Sequence, residues 1–260
     1  MKIFTTDGIK RIDEATVESE NISSLDLMER AASAVAYEIV SRWRPSKRIV
    51  IFAGPGNNGG DALAVARILL EQGYAPEVYL FNIKSSHLSR CCSVNCDRLK
   101  EMGAPHFIEV VDTFTPPELG PGDVVIDGLF GSGLRSPLTG GYSALVQYIN
   151  ESKAFVVAID MPSGLFGEWN MGADHRNIIQ AKITLAFQFK RLSFFFAENA
   201  TFVGEVKVLD LEMNQEAIDK TLTDFYLIER DDVKRVLKPH HPFINKYNNG
   251  TVFIVAGSYG

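Results

Sequence analysis

The chain has little cysteine and no long apolar run. Its 260 residues include three cysteines, Cys91, Cys92 and Cys96, all within a helix predicted over 86–102. A zinc site needs a second pair of ligands, and the cysteines supply none, so we predict reduced structural thiols. No segment reaches the roughly 18 apolar residues of a membrane span, and residues 1–6 lack the apolar core of a secretion signal. These absences predict a cytoplasmic protein that does not bind membranes.

The sequence also lacks an excess of positive charge. Its 26 Lys and Arg residues face 32 Asp and Glu residues, which gives a formal net charge of -6. A chain of this charge has no general attraction for polyphosphate, and no local basic cluster compensates. Nucleic acid is therefore not predicted as a partner, and an anionic ligand has to be held by a local site.

A glycine-rich segment from Gly54 to Asp61 is the most informative motif present. It lies between an apolar strand predicted over 49–53 and an amphipathic helix predicted from Ala62 onwards. Strand, glycine loop and helix in this order bring backbone N–H groups and the positive end of a helix dipole to one point. The segment therefore predicts a site for a nucleotide phosphate.

Two familiar nucleotide sites do not fit this segment. A P-loop needs Lys and then Ser or Thr after its last glycine, whereas Asp61 and Ala62 follow Gly60. A conventional dinucleotide fingerprint needs an acidic residue at the end of the next strand. The strand predicted over 77–81 has its acid, Glu77, at its start. ATPase and dehydrogenase functions are thus disfavoured, while a nucleotide ligand is not.

Apolar runs and helical stretches alternate between residues 48 and 211, which predicts a Rossmann-like three-layer α/β/α sandwich with a mostly parallel sheet. Most of the strand candidates are near-continuous apolar runs, as expected of strands covered on both faces. Strands are predicted at 49–53, 77–81, 106–110, 124–127, 155–160, 183–189 and 205–209. Two helices, 7–19 and 24–43, precede the first strand, and the apolar side of the second suits packing on the sheet or on a partner subunit.

The last fifty residues follow a different pattern. A polar helix, a strand-like segment over 225–228 and a short helix from Arg230 precede His240 and His241, which lie between prolines. We interpret that histidine pair as part of a linker and not as metal ligands. Residues 250–260 are typical of a new strand that runs into a new glycine turn. Because a fold does not end on an opening strand–turn motif, we expect the chain to be a fragment of a longer protein.

Three predicted strands end in loops that carry polar side chains. In an open α/β sheet, ligands bind beyond the carboxyl ends of the strands. The loops contribute, in chain order, Asn57, Asn58 and Asp61, then Asp127 and Arg135, then Asp160 and Ser163. Such oxygens suit a hard cation and acid–base chemistry. Asp127 and Asp160 each suit turn capping equally well, and Arg135 is compatible with a phosphate contact or with a solvated surface position.

The three motifs at 54–61, 127–133 and 160–165 together resemble those of the NAD(P)H-hydrate epimerase family. The likeness includes the helix segment 27–32 and the segment 181–187 with Lys190, and it covers about residues 1–211. From residue 244 onwards the chain resembles the start of an ADP- or ATP-dependent NAD(P)H-hydrate dehydratase domain, a lyase. The resemblance implies an epimerase domain at 1–212, a connecting segment at 213–243 and a truncated dehydratase start at 244–260.

The resemblance implies an isomerase that interconverts the R and S forms of hydrated NADH and NADPH (NADHX and NADPHX) at C6 of the nicotinamide ring, for metabolite repair ahead of dehydration. It also implies a homodimer and a potassium ion held by Asn58, Asp127 and Ser163. The implied substrate-binding residues are Asn57, Asn58, Gly59, Gly60, Asp61, Gly131, Ser132, Gly133, Leu134, Arg135, Ser136, Pro137 and Asp160. Ala62 departs from the glycine that the family often has there.

Inversion at C6 requires a bond to break and reform at a carbon that bears both oxygen and nitrogen. A carboxyl group can assist by passing a proton to and from the oxygen. Asp160 and Asp127 are the candidate catalytic residues, and Asp160 is preferred because a potassium ion would depress the basicity of Asp127.

Two other functions compete, a non-catalytic nucleotide- or RNA-binding module and an NAD-dependent redox enzyme. Retention of both aspartates disfavours the module, and the missing ribose-binding acid disfavours the redox enzyme.

Overall fold

The computed structural model describes residues 1–83, 87–237, 251 and 253–257. They divide into two compact units, Ile3–Phe225 and Met1–Lys2 with Tyr226–Gly260. The predicted linker histidines and most of the predicted segment 244–260 lie outside the described residues. Thr251 and residues 253–257 adopt neither strand nor helix, so the strand predicted near 250–255 is not formed in the part that is described.

Apart from a short strand at Lys2–Ile3, which was not predicted, the strands are those expected from the apolar runs, with small shifts at their ends. They are β1 (Lys2–Ile3), β2 (Ile49–Ala53), β3 (Glu77–Phe81), β4 (Phe107–Val110), β5 (Val124–Gly128), β6 (Phe155–Ile159), β7 (Ile183–Phe187), β8 (Glu205–Leu209) and β9 (Phe225–Tyr226). Strands β6 and β7 end earlier than predicted because Asp160 and Gln188 adopt left-handed backbone conformations, with φ of 65° and 53°. Strand β9 is likewise shorter than the predicted segment 225–228.

The helices are α1 (Thr6–Glu20), α2 (Ser24–Arg42), α3 (Asn57–Glu71), α4 (Arg90–Glu101), α5 (Gly140–Glu151), α6 (Ala200–Val203), α7 (Gln215–Lys220) and α8 (Arg230–Val236). Helix α2 begins with a capping box, in which Asp26 accepts from the Ser23 N–H at 2.8 Å and the Ser23 hydroxyl accepts from the Asp26 N–H at 3.2 Å. Helix α4 begins at Arg90, four residues later than predicted, where Ser89 caps it. Among the described residues, no helix has the length and apolar character that crossing a bilayer requires.

Helix α3 begins inside the glycine-rich segment, five residues earlier than predicted. Its N-cap is Gly56, and Asn57, Asn58, Gly59 and Gly60 form its first turn. Helix propensity disfavours two adjacent glycines, but a Cβ on Gly59 would lie 1.7 Å from the Gly54 carbonyl oxygen, and one on Gly60 would lie 2.9 Å from the Met28 Cε. Tertiary contact therefore outweighs propensity at this point.

The seven-stranded sheet has the order β4-β3-β2-β5-β6-β7-β8, and every neighbouring pair is parallel. Alternate residues of β2 face opposite layers. Ile49, Ile51 and Ala53 pack in a cluster with α1 to α4, whereas Val50 and Phe52 pack in a cluster with α5. The predicted three-layer sandwich with two amino-terminal helices is confirmed, and α2 packs within the chain through its buried residues, among them Val35 and Ile39.

The order of strands reverses between β2 and β5. From β2 the chain proceeds through β3 to the β4 edge, and from β5 it proceeds through β6 and β7 to the β8 edge. Ala53 is in register with Gly128 at the carboxyl ends of these two strands. The loops that follow them therefore flank the switch point, where open α/β sheets place their ligands.

Candidate active site

The glycine-rich loop lies against the loop that follows β5. The Gly54 N–H donates to the Gly128 carbonyl at 3.0 Å, and the Cys92 thiol lies 3.6 Å from the Gly54 carbonyl. A Cβ on Gly54 would lie 1.8 Å from the Leu129 carbonyl oxygen, and one on Gly59 would lie 1.7 Å from the Gly54 carbonyl oxygen. Glycine is therefore required at both positions for the first turn of α3 to approach β5.

Asn58 and Asp160 converge over Gly131, so the loops after β2, β5 and β6 meet. A Cβ on Gly131 would lie 3.1 Å from the Asn58 Oδ1 and 3.3 Å from the Asp160 Oδ2. Asn58 is 8% exposed, and its Nδ2 has no hydrogen-bond partner in the described part of the chain. A buried amide without a partner is uncommon in folded proteins, which makes this point a candidate position for a ligand.

Asp160 forms a buried ion pair with Arg191. Their Oδ1 and Nη2 atoms are in contact, and the two residues are 5% and 3% exposed. The Ser132 N–H donates to the Asp160 Oδ2 at 3.4 Å. Arg191 also has two buried N–H groups, on Nε and Nη1, without a partner in residues 1–83 and 87–237. The pair thus combines a carboxylate with donors that remain available to a bound molecule.

Asp127 and Ser163 form a second buried centre. Asp127 is fully buried and accepts from the Ser163 hydroxyl at 2.5 Å, the Ser163 N–H at 2.8 Å and the Leu129 N–H at 3.2 Å. Burial raises the pKa of Asp127 to about 6, although these donors oppose the shift. The Ser163 hydroxyl accepts from the Phe130 N–H at 2.8 Å. No Lys, Arg or His of the described residues forms an ion pair with Asp127. When this carboxyl group is ionised, a bound cation could balance its negative charge.

Two further carboxyl groups interact with the Asp160–Arg191 pair. Burial, and then the charges of Asp160 and Asp13, hold the pKa of Asp61 well above its usual range. Burial raises the pKa of Asp13 to about 7, and the nearby Arg191 opposes this shift. Burial and these neighbouring charges therefore favour the protonated form of Asp61 within the cluster of three carboxyl groups.

Arg191 and Asp13 are site residues that sequence reasoning missed. Arg191 follows β7, which pairs with β6, so the strand-end criterion that found Asp160 would also have found it. Asp13 had no such signal, since it lies in α1. The start of that helix reaches the site through tertiary packing, in which the rings of Phe4 and Phe189 meet edge to face at 5.0 Å.

Several other predicted residues lie apart from the Asp160 centre. Gly60 faces α2 and α4, because a Cβ there would lie 2.9 Å from the Met28 Cε. Arg135 is exposed and pairs with Asp7 at 3.5 Å. Exposed positions are also taken by Asn57, Gly133, Ser136 and Pro137, whereas Leu134 is half-buried. The Ala62 methyl is buried against β5, 2.4 Å from the position of a Cβ on Gly128, so it does not narrow the opening of the loop.

The three cysteines are free thiols, and Cys92 and Cys96 are buried. Burial raises the pKa of Cys92 to about 12. A thiol with so high a pKa carries almost no thiolate and is a poor nucleophile. Its position suits a structural role in the contact between α4 and Gly54.

The stability of an Asp13→Asn variant, measured relative to wild type, should increase as the pH rises. The folded protein retains a proton on Asp13 up to about pH 7, whereas the unfolded chain releases it near pH 4. The wild-type chain therefore loses stability as pH rises between these values. We expect Asp13→Asn to gain about 2 kcal/mol between pH 5 and pH 8, after allowing for the solvent that reaches a half-buried group.

Urea unfolding of both proteins at the two pH values measures this gain. Glu18→Gln, at an exposed position of the same helix, is the control and should give a stability difference from wild type that changes little with pH. A stability difference between Asp13→Asn and wild type that is the same at both pH values would contradict the assignment.

Comparison with known proteins places this chain in a family. Residues 24–193 match the family model described as "YjeF-related protein N-terminus". The chain is 31% identical to a protein named NAD(P)H-hydrate epimerase from Limosilactobacillus fermentum, over 80% of this chain and 95% of that one. It is 29% identical to a Coxiella burnetii protein named bifunctional NAD(P)H-hydrate repair enzyme Nnr, over 99% of this chain and 51% of that one.

The chain thus spans about half the length of that bifunctional relative. Among solved structures, it is similar to the crystal structure of yeast ynu0, YNL200c, with a TM-score of 0.65 and 20% identity. The superposition covers 96% of this chain and 98% of the yeast chain. At this identity the likeness shows that the two proteins share a fold.

Proposed function

Since the chain belongs to the NAD(P)H-hydrate epimerase family, we propose that it interconverts the R and S forms of hydrated NADH and NADPH. The observation that carries the proposal is the buried Asp160–Arg191 pair, which lies beside Asn58 and Gly131 at the carboxyl edge of the sheet. Binding sites of open α/β folds occupy this edge. The pair supplies both a proton-transferring carboxyl group and free N–H donors.

The chemistry of the reaction suits a cluster of carboxyl groups. Protonation of the C6 hydroxyl lets it leave as water with the electrons of the C–O bond, and the ring nitrogen stabilises the resulting cation. Water then adds to the opposite face of the ring and returns one proton, so no proton, electron or oxygen is gained or lost overall. The buried Asp61 carboxyl, whose pKa burial and neighbouring charges raise well above its usual range, belongs to this cluster, and we assign the transfer at the C6 oxygen to Asp160.

Arg191 has two roles in this proposal. Its guanidinium balances the charge of Asp160 in a site that excludes water, where an unpaired carboxylate would be costly. Its unpartnered Nε and Nη1 groups can donate to an oxygen of the bound nicotinamide portion. Asn58, with its unpartnered Nδ2, is assigned to orient the same portion of the substrate.

The wild-type chain tests the proposal directly. Pure R-hydrated NADH, incubated with the protein, should approach an R/S mixture faster than it does without protein. No hydride acceptor and no nucleoside triphosphate should be needed. Tight binding of NADH without any epimerisation would favour the non-catalytic module, and dependence on a hydride acceptor would favour the redox enzyme.

We also propose a potassium ion at the Asp127–Ser163 centre, with Asn58 as a third ligand. The donor set fits, since it consists of carboxylate, hydroxyl and amide oxygens, which are the ligands that hard cations prefer. Asp127 is fully buried without a basic partner among the described residues, and a cation would balance its charge. A bound ion would supply positive charge to the substrate site and hold the loops after β5 and β6 in place.

Potassium should raise the thermal stability of the protein. Replacement of choline by potassium at equal ionic strength is expected to stabilise the wild type by about 1.4 kcal/mol at ten times the dissociation constant. Ser163→Ala and Asp127→Asn should lose this gain, whereas Ser41→Ala, an exposed serine of α2, should keep it. Thermal unfolding in the two salts measures the effect, and an equal gain in all four proteins would contradict the site.

The homodimer, the cytoplasmic location and the division into epimerase and dehydratase segments stay predictions from the sequence and from its resemblance. So does the choice between hydrated NADH and hydrated NADPH.

A further inference from the structure

An aromatic pair is exposed on two loops of the larger unit. Trp169 and Phe196 stack with their ring centroids 5.2 Å apart and their planes 28° from parallel. Trp169 is 59% exposed, so much of the indole remains in contact with water. Large aromatic side chains left partly exposed in an ordered position often bind another flat molecule.

The two loops that carry the pair are held by hydrogen bonds. The Ser193 N–H donates to the Gly167 carbonyl at 3.0 Å and so joins one loop to the other. The Asn170 side chain accepts from the Phe166 N–H at 2.8 Å and donates to the Phe166 carbonyl at 3.1 Å. The Asn199 side chain donates to the Ser193 carbonyl at 2.9 Å. Because these bonds fix both loops, the aromatic pair is ordered before any ligand binds.

The same two loops carry the proposed catalytic centre. Asp160 lies at the start of the loop that leads to Trp169, and Arg191 lies at the start of the loop that leads to Phe196. A contact path also joins Trp169 to the predicted substrate loop 131–137. Glu168, the neighbour of Trp169, accepts from the Thr6 N–H at 2.5 Å. Asp7, which follows Thr6, pairs with Arg135 at 3.5 Å. The aromatic pair and the proposed catalytic centre therefore lie on the same two loops.

We propose that Trp169, supported by Phe196, is the stacking surface for the adenine base of the bound dinucleotide. The inference rests on the proposed function and extends it to a second ring of the substrate. With the nicotinamide ring at Asp160, the adenine must lie outside the buried centre, because a pyrophosphate and two riboses separate the two rings. Arg135, which contacts through Asp7 and Thr6 connect to the Trp169 loop, has an exposed guanidinium that suits a pyrophosphate oxygen. Base–aromatic stacking typically contributes about 1–3 kcal/mol.

Intrinsic fluorescence can test the contact without any catalysis. The chain has two tryptophans, Trp43 and Trp169, so a Trp43→Phe variant reports on Trp169 alone. We expect NAD+ and AMP to quench this fluorescence and nicotinamide mononucleotide, which lacks adenine, to leave it unchanged. NAD+ binding that calorimetry detects without any change in Trp169 fluorescence would overturn the proposal.

Kinetics supply the second test. Trp169→Ala should raise the KM for hydrated NADH about tenfold at nearly constant kcat. Trp169→Phe should have a KM close to that of wild type. The KM for hydrated reduced nicotinamide mononucleotide should be the same in wild type and Trp169→Ala. Tyr37→Ala, which removes a more exposed aromatic from α2, should leave both KM values unchanged.

Two outcomes separate this inference from the proposed function. If the wild type fails to epimerise hydrated NADH while NAD+ and AMP still quench Trp169, the proposed function is wrong and the stacking surface stands. If the wild type epimerises and Trp169→Ala has the wild-type KM for hydrated NADH, the stacking surface is wrong. A Trp169→Ala protein that changes only its sedimentation would identify the pair as a contact between copies of the chain and would also overturn the proposal.

Discussion

Gly54→Ala destabilises the fold by about 3 kcal/mol or more, because the added methyl meets backbone and not a movable side chain. Its Cβ would lie 1.8 Å from the Leu129 carbonyl oxygen and 2.8 Å from the Leu129 carbonyl carbon. Relief of that overlap requires β2 and β5 to separate where they pair, at the Gly54 N–H to Gly128 carbonyl bond. A loss of this size is a large part of the free energy of unfolding of a typical domain, about 5–15 kcal/mol.

Gly56→Ala is the matched control in the same loop. A Cβ on Gly56 has no atom within 4 Å, and its backbone is extended, with φ of -86°. We expect it to cost less than about 1 kcal/mol, as substitutions at a helix N-cap do. Urea midpoints of the three proteins measure both effects, and equal midpoints for Gly54→Ala and Gly56→Ala would show that the contact with Leu129 is unimportant.

The strands were predictable because a parallel sheet covered on both faces leaves an apolar run in the sequence. Val124 to Ile126 and Phe155 to Ile159 are such runs, and both form strands within one residue or so of the predicted ends. The start of α3 was not predictable in the same way. Local preference assigns Gly59 and Gly60 to a loop, whereas the close approach of the Gly54 backbone to Gly59 and of Met28 to Gly60 favours glycine inside the helix.

The sequence predicted the part of the candidate site that depends on topology, namely which loops come together. The strand-end rule brings Asn58 and Asp160 to one edge, and in the structure both side chains converge over Gly131. The rule does not say which side chains pair. Asp160 pairs with Arg191 and not with Arg135, because the choice depends on the course of two loops after β6 and β7. Pairings of this kind arise from tertiary packing and leave no periodic signal.

Asp160→Asn should slow epimerisation by about 10² to 10⁴-fold, the usual contribution of a positioned acid–base group. Asparagine keeps the shape of the side chain and tolerates the left-handed backbone that residue 160 adopts, with φ of 65°. It can still accept the Ser132 N–H bond. It cannot hold or transfer a proton at that oxygen, and this loss is the reason for the expected fall in rate.

A low rate in Asp160→Asn has two possible causes, unfolding of the protein and loss of the proton-transferring group, and the experiment has to distinguish them. Asp160→Asn leaves the buried Arg191 unpaired, which typically costs about 3–5 kcal/mol. A second variant that combines Asp160→Asn with Arg191→Met removes the orphaned charge and should regain much of the stability. It should not regain the rate, because the proton-transferring group is still absent.

The most direct measurement is the time course of the R/S ratio, starting from pure R-hydrated NADH. Wild type, Asp160→Asn and the double variant are compared with the protein-free reaction, at a temperature where circular dichroism shows each variant to be folded. Asp231→Asn, an exposed residue of α8, serves as the control substitution. We predict that wild type and Asp231→Asn reach the equilibrium ratio quickly, whereas both Asp160 variants stay close to the protein-free curve. Equilibration by Asp160→Asn at the wild-type rate would contradict the central role of Asp160.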